Sequence, residues 1–168
     1  MFLEFVEGGE NIKLIAIDQA TSKTGIAVYC DGKLTMYDLI DLEREKVNIP
    51  ERIYVMVDRI CKFIRKNKPD MVVFEDVAMQ TNPSTLILLS RLQGAIIGCC
   101  RVNKIPHDIL KPPSWRKALG FKQGQGMKRR ELKKQAVEYI QNTYNLKLKE
   151  DVCEAICIGD AYLKMNKI

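Results

Sequence analysis

The sequence predicts one α/β domain built on a mixed sheet, and three observations predict it. Three strand-like runs come first, joined by short turns, and read as an antiparallel meander. Helical and strand-like segments then alternate, the pattern of parallel strands linked by crossovers. The last third reads as helix. With 168 residues and 46% hydrophobic content, the chain is long enough for one well-buried core and short for two. No repeat, low-complexity tract or linker divides it, so residues 1–168 are read as a single domain with 1–10 as an N-terminal extension.

Taken in order, 12–18 carries the apolar run Leu14-Ile15-Ala16-Ile17 and ends on Asp18 as the first strand. Residues 24–30 and 33–42 follow as strands, and Asp31-Gly32 between them is a two-residue hairpin signal. Segment 51–66 places Ile53, Val55, Met56, Ile60, Phe63 and Ile64 near helical spacing, with Pro69 just beyond. Met71-Val72-Val73-Phe74, ending on Glu75, is a short apolar run typical of a central strand covered on both faces. Asn82-Pro83-Ser84 starts a helix over 85–103, where Gly94 and Gly98 allow close packing, and 104–109 reads as another short strand. The stretch 111–128 reads as a loop, opened by Pro112-Pro113 and loosened by Gly120, Gly124 and Gly126. A helix to about residue 143 and a last one over 150–166 complete the chain.

A formal net charge of +6 favours a polyanionic partner without proving one. No run approaches the roughly 18 apolar residues of a membrane span. Glu4, Glu7 and Glu10 give the N-terminus the wrong charge for a signal or transit peptide. The expectation is a cytoplasmic protein with no membrane partner. Cys30, Cys61, Cys99, Cys100, Cys153 and Cys157 show no C-x-x-C spacing, and His107 is the only histidine. They read as small buried hydrophobes in a reducing compartment rather than as a disulfide frame or zinc site.

The chemistry is carried by Asp18, Glu75, Asp151 and Glu154. The first two terminate apolar strands, and the second two open a largely apolar helix. On a helix, residues three apart are separated by about 60° and share a face. Strand-end carboxylates facing such a pair make the hard, oxygen-rich cage that Mg²⁺ or Mn²⁺ prefers. On a basic chain the natural substrate of that cage is a phosphodiester. Two ions about 3.5–4 Å apart would activate a water and stabilise the leaving 3′ oxygen. Asp76 and Asp160 read as structural or solvent-facing, the latter on roughly the opposite side of its helix from Asp151. Lys117 and Lys128, in the Gly-interrupted loop, are candidate phosphate contacts. Lys133 and Lys134 read as a solvated helix face, Trp115 as a packing anchor, and His107 as structural.

These residues resemble the RuvC-type Holliday-junction resolvases. The resemblance runs from about Ile12 to Lys164 through IAIDQATSKTGIAV, VVFEDVAMQ with a following RLQGAIIG, PPSWRKALGFKQGQGMKRRELKKQAV, and DVCEAICIGDAY. It implies an RNase H-like fold: a mixed five-stranded sheet, three meandering strands plus parallel ones, flanked by helices. It also implies Mg²⁺-dependent cutting of four-way and related branched DNA by a homodimer. By the resemblance Asp18, Glu75, Asp151 and Glu154 are the metal-binding carboxylates, and Lys128 joins them in catalysis. Lys117, Lys122, Lys128, Arg129 and Arg130 are the DNA-binding group. The chain departs from the family at Gln19-Ala20, where Pro-Gly is usual, and at Glu154, in place of Asp. It departs again at Ala78, where an aromatic wedge is common; that loss implies cutting of forks and flaps beside junctions. Its compact form resembles viral or mobile-element members. The alternatives are a catalytically inactive junction-binding protein and an actin/sugar-kinase-like nucleotide-binding module.

Overall fold

Strand parity decides the architecture. The structure, a computed structural model, describes residues 12–43, 45 and 47–168; the expected extension at 1–10 lies outside the described residues. Strands β1 (Lys13–Asp18), β2 (Lys23–Cys30), β3 (Lys33–Asp41), β4 (Met71–Glu75) and β5 (His107–Leu110) form one sheet in the order β3-β2-β1-β4-β5. The β1–β2 and β2–β3 pairs are antiparallel, and β1–β4 and β4–β5 are parallel, as the meander and the crossovers predict. Successive side chains on a strand face opposite ways. Leu14, Ala16, Ala27, Tyr29, Met71 and Val73 therefore enter one core with α3 (Pro112–Ala118), α4 (Arg129–Tyr144) and α5 (Glu150–Asn166). Ile15, Ile17, Ile26, Val28, Val72 and Phe74 enter the other with α1 (Ile49–Asn67) and α2 (Pro83–Val102). The same parity turns Asp18, Gly25 and Glu75 toward α5.

Local chemistry sets the element ends. The Asn48 side chain accepts from the Glu51 N–H and caps α1, and left-handed Lys68 ends it. Asn82 caps α2 by accepting from the Ser84 N–H at 2.9 Å. Asp31 (φ 50) and Gly32 (φ 72) both take positive φ in the β2–β3 turn, which their residue types favour.

Three expectations change. Residues 112–118 form α3 rather than the start of a loop. The first N–H groups of a helix have no intrahelical partner, so Pro112-Pro113 opens a helix at no hydrogen-bond cost. The edge strand is β5, not 104–109, because Lys104 turns left-handed (φ 57) and the Ile105 N–H closes back on the Cys100 carbonyl at 2.9 Å. Finally, α2 is long and apolar enough, by length and composition, to cross a membrane. It nonetheless lies on the sheet through Leu92, Ile96 and Cys100, and Arg91 and Gln93 interrupt its apolar surface.

The six cysteines are free, and Cys100, Cys153 and Cys157 are buried; burial pushes the Cys100 thiol up to about 12. His107 stacks on Phe74, at the end of β5 away from Glu75. Asp160 is structural. Its Oδ1 lies 2.7 Å from the hydroxyls of both Tyr29 and Tyr144, and its Oδ2 lies 3.0 Å from that of Tyr139. Burial raises its pKa and the three tyrosine hydrogen bonds lower it. Asp160→Ala would leave the Tyr139 and Tyr144 hydroxyls without this acceptor, while Tyr29 keeps the Ile156 carbonyl at 2.8 Å. A loss of about 2–4 kcal/mol is expected in urea unfolding; a loss under about 1 kcal/mol would show that the tyrosines find other partners.

Candidate active site

Three elements deliver the acids and a fourth brings them together. β1 ends on Asp18 and β4 on Glu75, and the register Ile17↔Phe74 sets the two on neighbouring strand ends. α5 presents Asp151 and Glu154 in its first two turns. Gly25 of β2, paired with Asp18, is where α5 comes down onto the sheet. A Cβ there would lie 2.0 Å from the Asp151 carbonyl oxygen and 2.9 Å from the Val152 nitrogen. Only glycine admits that approach. Next to it, buried Thr24 closes the turn after Asp18, its Oγ1 donating to the Ala20 carbonyl at 2.9 Å.

One oxygen from each of Asp18, Asp151 and Glu154 lies within 4.8 Å of the others. These three and Glu75 line a single cavity of about 300 Å³, together with Gln19, Arg116 and Arg129. Glu75 stands slightly apart, because its Oε1 accepts from the Trp115 indole N–H at 2.8 Å and lies 3.4 Å from Arg116 Nη2. Its backbone carbonyl accepts from the side-chain amides of Gln19 (2.7 Å) and Gln93 (3.1 Å).

Burial is the first cause raising the Asp18 pKa well above its ordinary value, followed by the charges of Glu154, Glu75 and Asp151, while Lys133 lowers it. Burial likewise raises Glu75 against the Trp115 hydrogen bond and Arg116, and Glu154 against Lys133. Carboxylates that resist ionising in one another's company form a site short of positive charge. Their hard oxygens fit Mg²⁺ or Mn²⁺.

The expected basic residues divide. Arg129 reaches the cavity wall. Lys117, Lys122, Lys128 and Arg130 are exposed outside it, Lys117 on α3 and Lys128 at the N-cap of α4. The reading of Lys133 as solvated is corrected. Its side chain is only 17% exposed, and its Nζ lies 3.4 Å from Glu150, 3.7 Å from Asp151 and 3.4 Å from Glu154. Lys134, one residue on, is exposed and pairs with Glu138 on its own helix. Trp115 is the packing anchor expected, at 1% exposure, but also a hydrogen-bond donor to Glu75. Arg116, Gln19 and Gln93 carried no signal beyond their place in the motifs. Ala78 lines the cavity, and beside it Met79 is 86% exposed.

A five-stranded mixed sheet with acids at the ends of β1 and β4 and at the start of α5 defines an RNase H-like nuclease fold. Residues 14–159 match the profile of the family described as crossover junction endodeoxyribonuclease RuvC, and the chain belongs to that family. The RuvC of Nitrosomonas eutropha is 26% identical over 99 residues, covering 58% of this chain and 56% of that protein. The RuvC of Carboxydothermus hydrogenoformans is 27% identical over 103 residues, covering 60% and 65%. The chain thus spans little more than half the length of these relatives. A solved structure described as T. thermophilus RuvC in complex with Holliday junction substrate superposes with a TM-score of 0.72 at 13% identity, covering 93% of this chain and 96% of that one. The last match carries the fold. Family membership leaves the nucleotide-binding alternative without support.

The glycine contact gives a direct test. Gly25→Ala forces a methyl group against the backbone of Asp151 and Val152, so α5 must lift or the strand must bend. Overpacking of this kind costs about 1–3 kcal/mol, measurable by chemical denaturation. A variant as stable as the parent would mean that α5 rises off β2 freely.

Proposed function

We propose that this protein is an endodeoxyribonuclease that hydrolyses phosphodiesters in branched DNA, four-way junctions first. The observation that carries the reading is the convergence of Asp18, Asp151 and Glu154 within 4.8 Å in a cavity shared with Glu75 and two arginines, on the fold of a family of junction endonucleases. The relative bound to a Holliday junction supports the same substrate class here. Asp18, Glu75, Asp151 and Glu154 would hold Mg²⁺, with Mn²⁺ as a substitute. When bound, the metal supplies positive charge against the phosphoryl oxygens and the leaving 3′ oxygen.

The remaining work falls to the chain's own groups. Trp115 and Arg116 hold one oxygen of Glu75, and the amides of Gln19 and Gln93 hold its backbone, so the carboxylate is oriented before substrate arrives. Arg116 and Arg129, on the cavity wall, take phosphate oxygens in the forked geometry of guanidinium. Lys128, at the mouth of α4, contacts the phosphate near the scissile bond. Lys117, Lys122 and Arg130 hold flanking phosphates and set register without reading sequence. Ala78 carries only a methyl group and cannot stack on a base, which favours forks and flaps as additional substrates.

Two symmetric nicks require two sites related by a two-fold axis, so the active form is a homodimer. The exposed face of α2 suits a second copy. Ile87 and Val102 are 50% and 83% exposed, and nothing lies within 4 Å of a Cβ built at Gly94 or Gly98 between them.

Labelled four-way junctions and forks, incubated with and without Mg²⁺, test the reading. Cleavage with Mg²⁺ and none in EDTA is expected; binding without cleavage under both conditions would favour the inactive alternative. Glu75→Gln keeps the side-chain shape and removes the charge. It should leave junction binding intact and lower cleavage by orders of magnitude, and substantial residual nicking by the pure variant would remove Glu75 from the site.

Binding itself should weaken steeply with salt as phosphates shed counterions. Lys128→Ala should reduce the slope of log affinity against log salt by about one unit, equally for different junction sequences. An unchanged slope would place the DNA surface elsewhere.

A further inference from the structure

We propose that Lys133 is a tethered cation beside the acidic cavity, held against the acids at the start of α5. Its ammonium takes the place of a second divalent ion, so that each chain, free of DNA, takes up one ion rather than two. The inference rests on the metal-dependent reading above and replaces the two ions that the sequence suggests with one.

Lys133 sits on α4, one turn beyond Arg129, and reaches across to the start of α5. Its ammonium touches three acids at once, Glu150, Asp151 and Glu154, at 3.4, 3.7 and 3.4 Å. A lysine side chain only 17% exposed has lost much of its hydration and its freedom. The three carboxylates offset that loss at the ammonium. Asp151 and Glu154 are each engaged by the ammonium through one oxygen, and with Asp18 and Glu75 they line the cavity, offering hard oxygens enough for one ion and its waters. A second divalent ion among these acids would have to sit beside a fixed positive charge, and like charges at short range repel strongly in a partly buried site.

The neighbouring residue sharpens the assignment. Lys134 is exposed and pairs with Glu138 on its own helix, the behaviour of an ordinary surface lysine. Lys133 instead crosses to another element and meets two of the proposed metal ligands. An ammonium is a compact point charge that satisfies several acids without demanding a fixed plane, which suits three carboxylates arriving from one side.

The test is to count Mn²⁺ bound to the full chain without DNA, by titration calorimetry, for the parent, Lys133→Met and Lys133→Arg. The parent should bind one ion and Lys133→Arg likewise. Lys133→Met should bind a second ion, or the first at least tenfold tighter. Without metal, Lys133→Met should melt below the parent, and saturating Mn²⁺ should narrow the gap. Two ions on the parent would overturn the inference while leaving the metal reading intact. Lys133→Met binding one ion less than tenfold tighter than the parent would do the same. A parent that binds no Mn²⁺ at millimolar concentration would overturn both. Two ions on the parent refute the inference whatever Lys133→Met does, so it stays exposed to refutation even if that variant does not fold.

Discussion

Like charges do not gather in a partly buried cavity unless backbone packing leaves them no alternative. Here the constraint is the height of α5 above the sheet. Gly25 lets the first turn of α5 rest on β2, directly over Asp18. A second glycine acts from the other side of the contact, since a Cβ at Gly159 would lie 2.3 Å from the ring of Tyr29. That ring's hydroxyl sits 2.8 Å from the Ile156 carbonyl and 2.7 Å from Asp160. Helix and strand are thus joined at two points about two turns apart on α5. With both contacts made, Asp151 and Glu154 have no route away from Asp18. Much of the free energy that holds the acids together is spread over the apolar packing of α5, most of whose residues are buried, and the Lys133 ammonium offsets part of their mutual repulsion.

Much of this was legible in the residues because strand parity and helix spacing are geometric. An apolar run that ends on a carboxylate at the end of a central strand places that carboxylate at the sheet's ligand-binding end. Two acids three apart at the start of an apolar helix point the same way. Asp18, Glu75, Asp151 and Glu154 followed from those two rules, and the antiparallel meander followed once Asp31-Gly32 marked the hairpin. What the residues did not reveal depends on reach across elements. Lys133 sits in a run of basic residues, Lys128 to Lys134, and nothing in the run separates an inward lysine from an outward one. Rotation about the α4 axis, set by Ala136 and Ile140 in the core, turns Lys133 in and leaves Lys134 out. The helix over 112–118 was hidden for another reason: Pro-Pro signals a break inside a helix and a start at its first turn, and sequence alone did not say which.

Trp115 illustrates the same limit at the scale of one side chain. A lone tryptophan beside two prolines reads as a packing anchor, and it is one, buried against Phe121 in an edge-to-face contact. Its indole N–H must still find an acceptor once buried, and the acceptor is Glu75. Packing and orientation are therefore one requirement here. α3 cannot dock without offering a donor to the strand-end carboxylate, and Arg116, next in the chain, comes with it. The departure at Gln19 works in a similar way, since its amide joins the end of β1 to the backbone of Glu75 and so couples the two strand ends that carry acids.

The positive charge of the chain is consequently sorted rather than spread. Arg129 and Lys133 are four apart on α4 and share a face, yet one lines the open cavity and the other is enclosed among the acids of α5. Beyond them Lys117, Lys122, Lys128 and Arg130 remain exposed, where charges are screened by salt and act mainly to steer and position. A phosphate approaching from solvent would meet weakly held, screened cations first. It would meet guanidinium groups at the cavity wall next, and finally acids whose charge Lys133 offsets only in part. That order lets the outer lysines raise the rate of encounter without binding the backbone so tightly that it cannot leave, while the inner lysine makes the acids tolerable to the fold before any metal or DNA arrives. The net charge of +6 conceals this division, because the residues that stabilise the site and those that attract a polyanion carry the same sign and lie on the same helix.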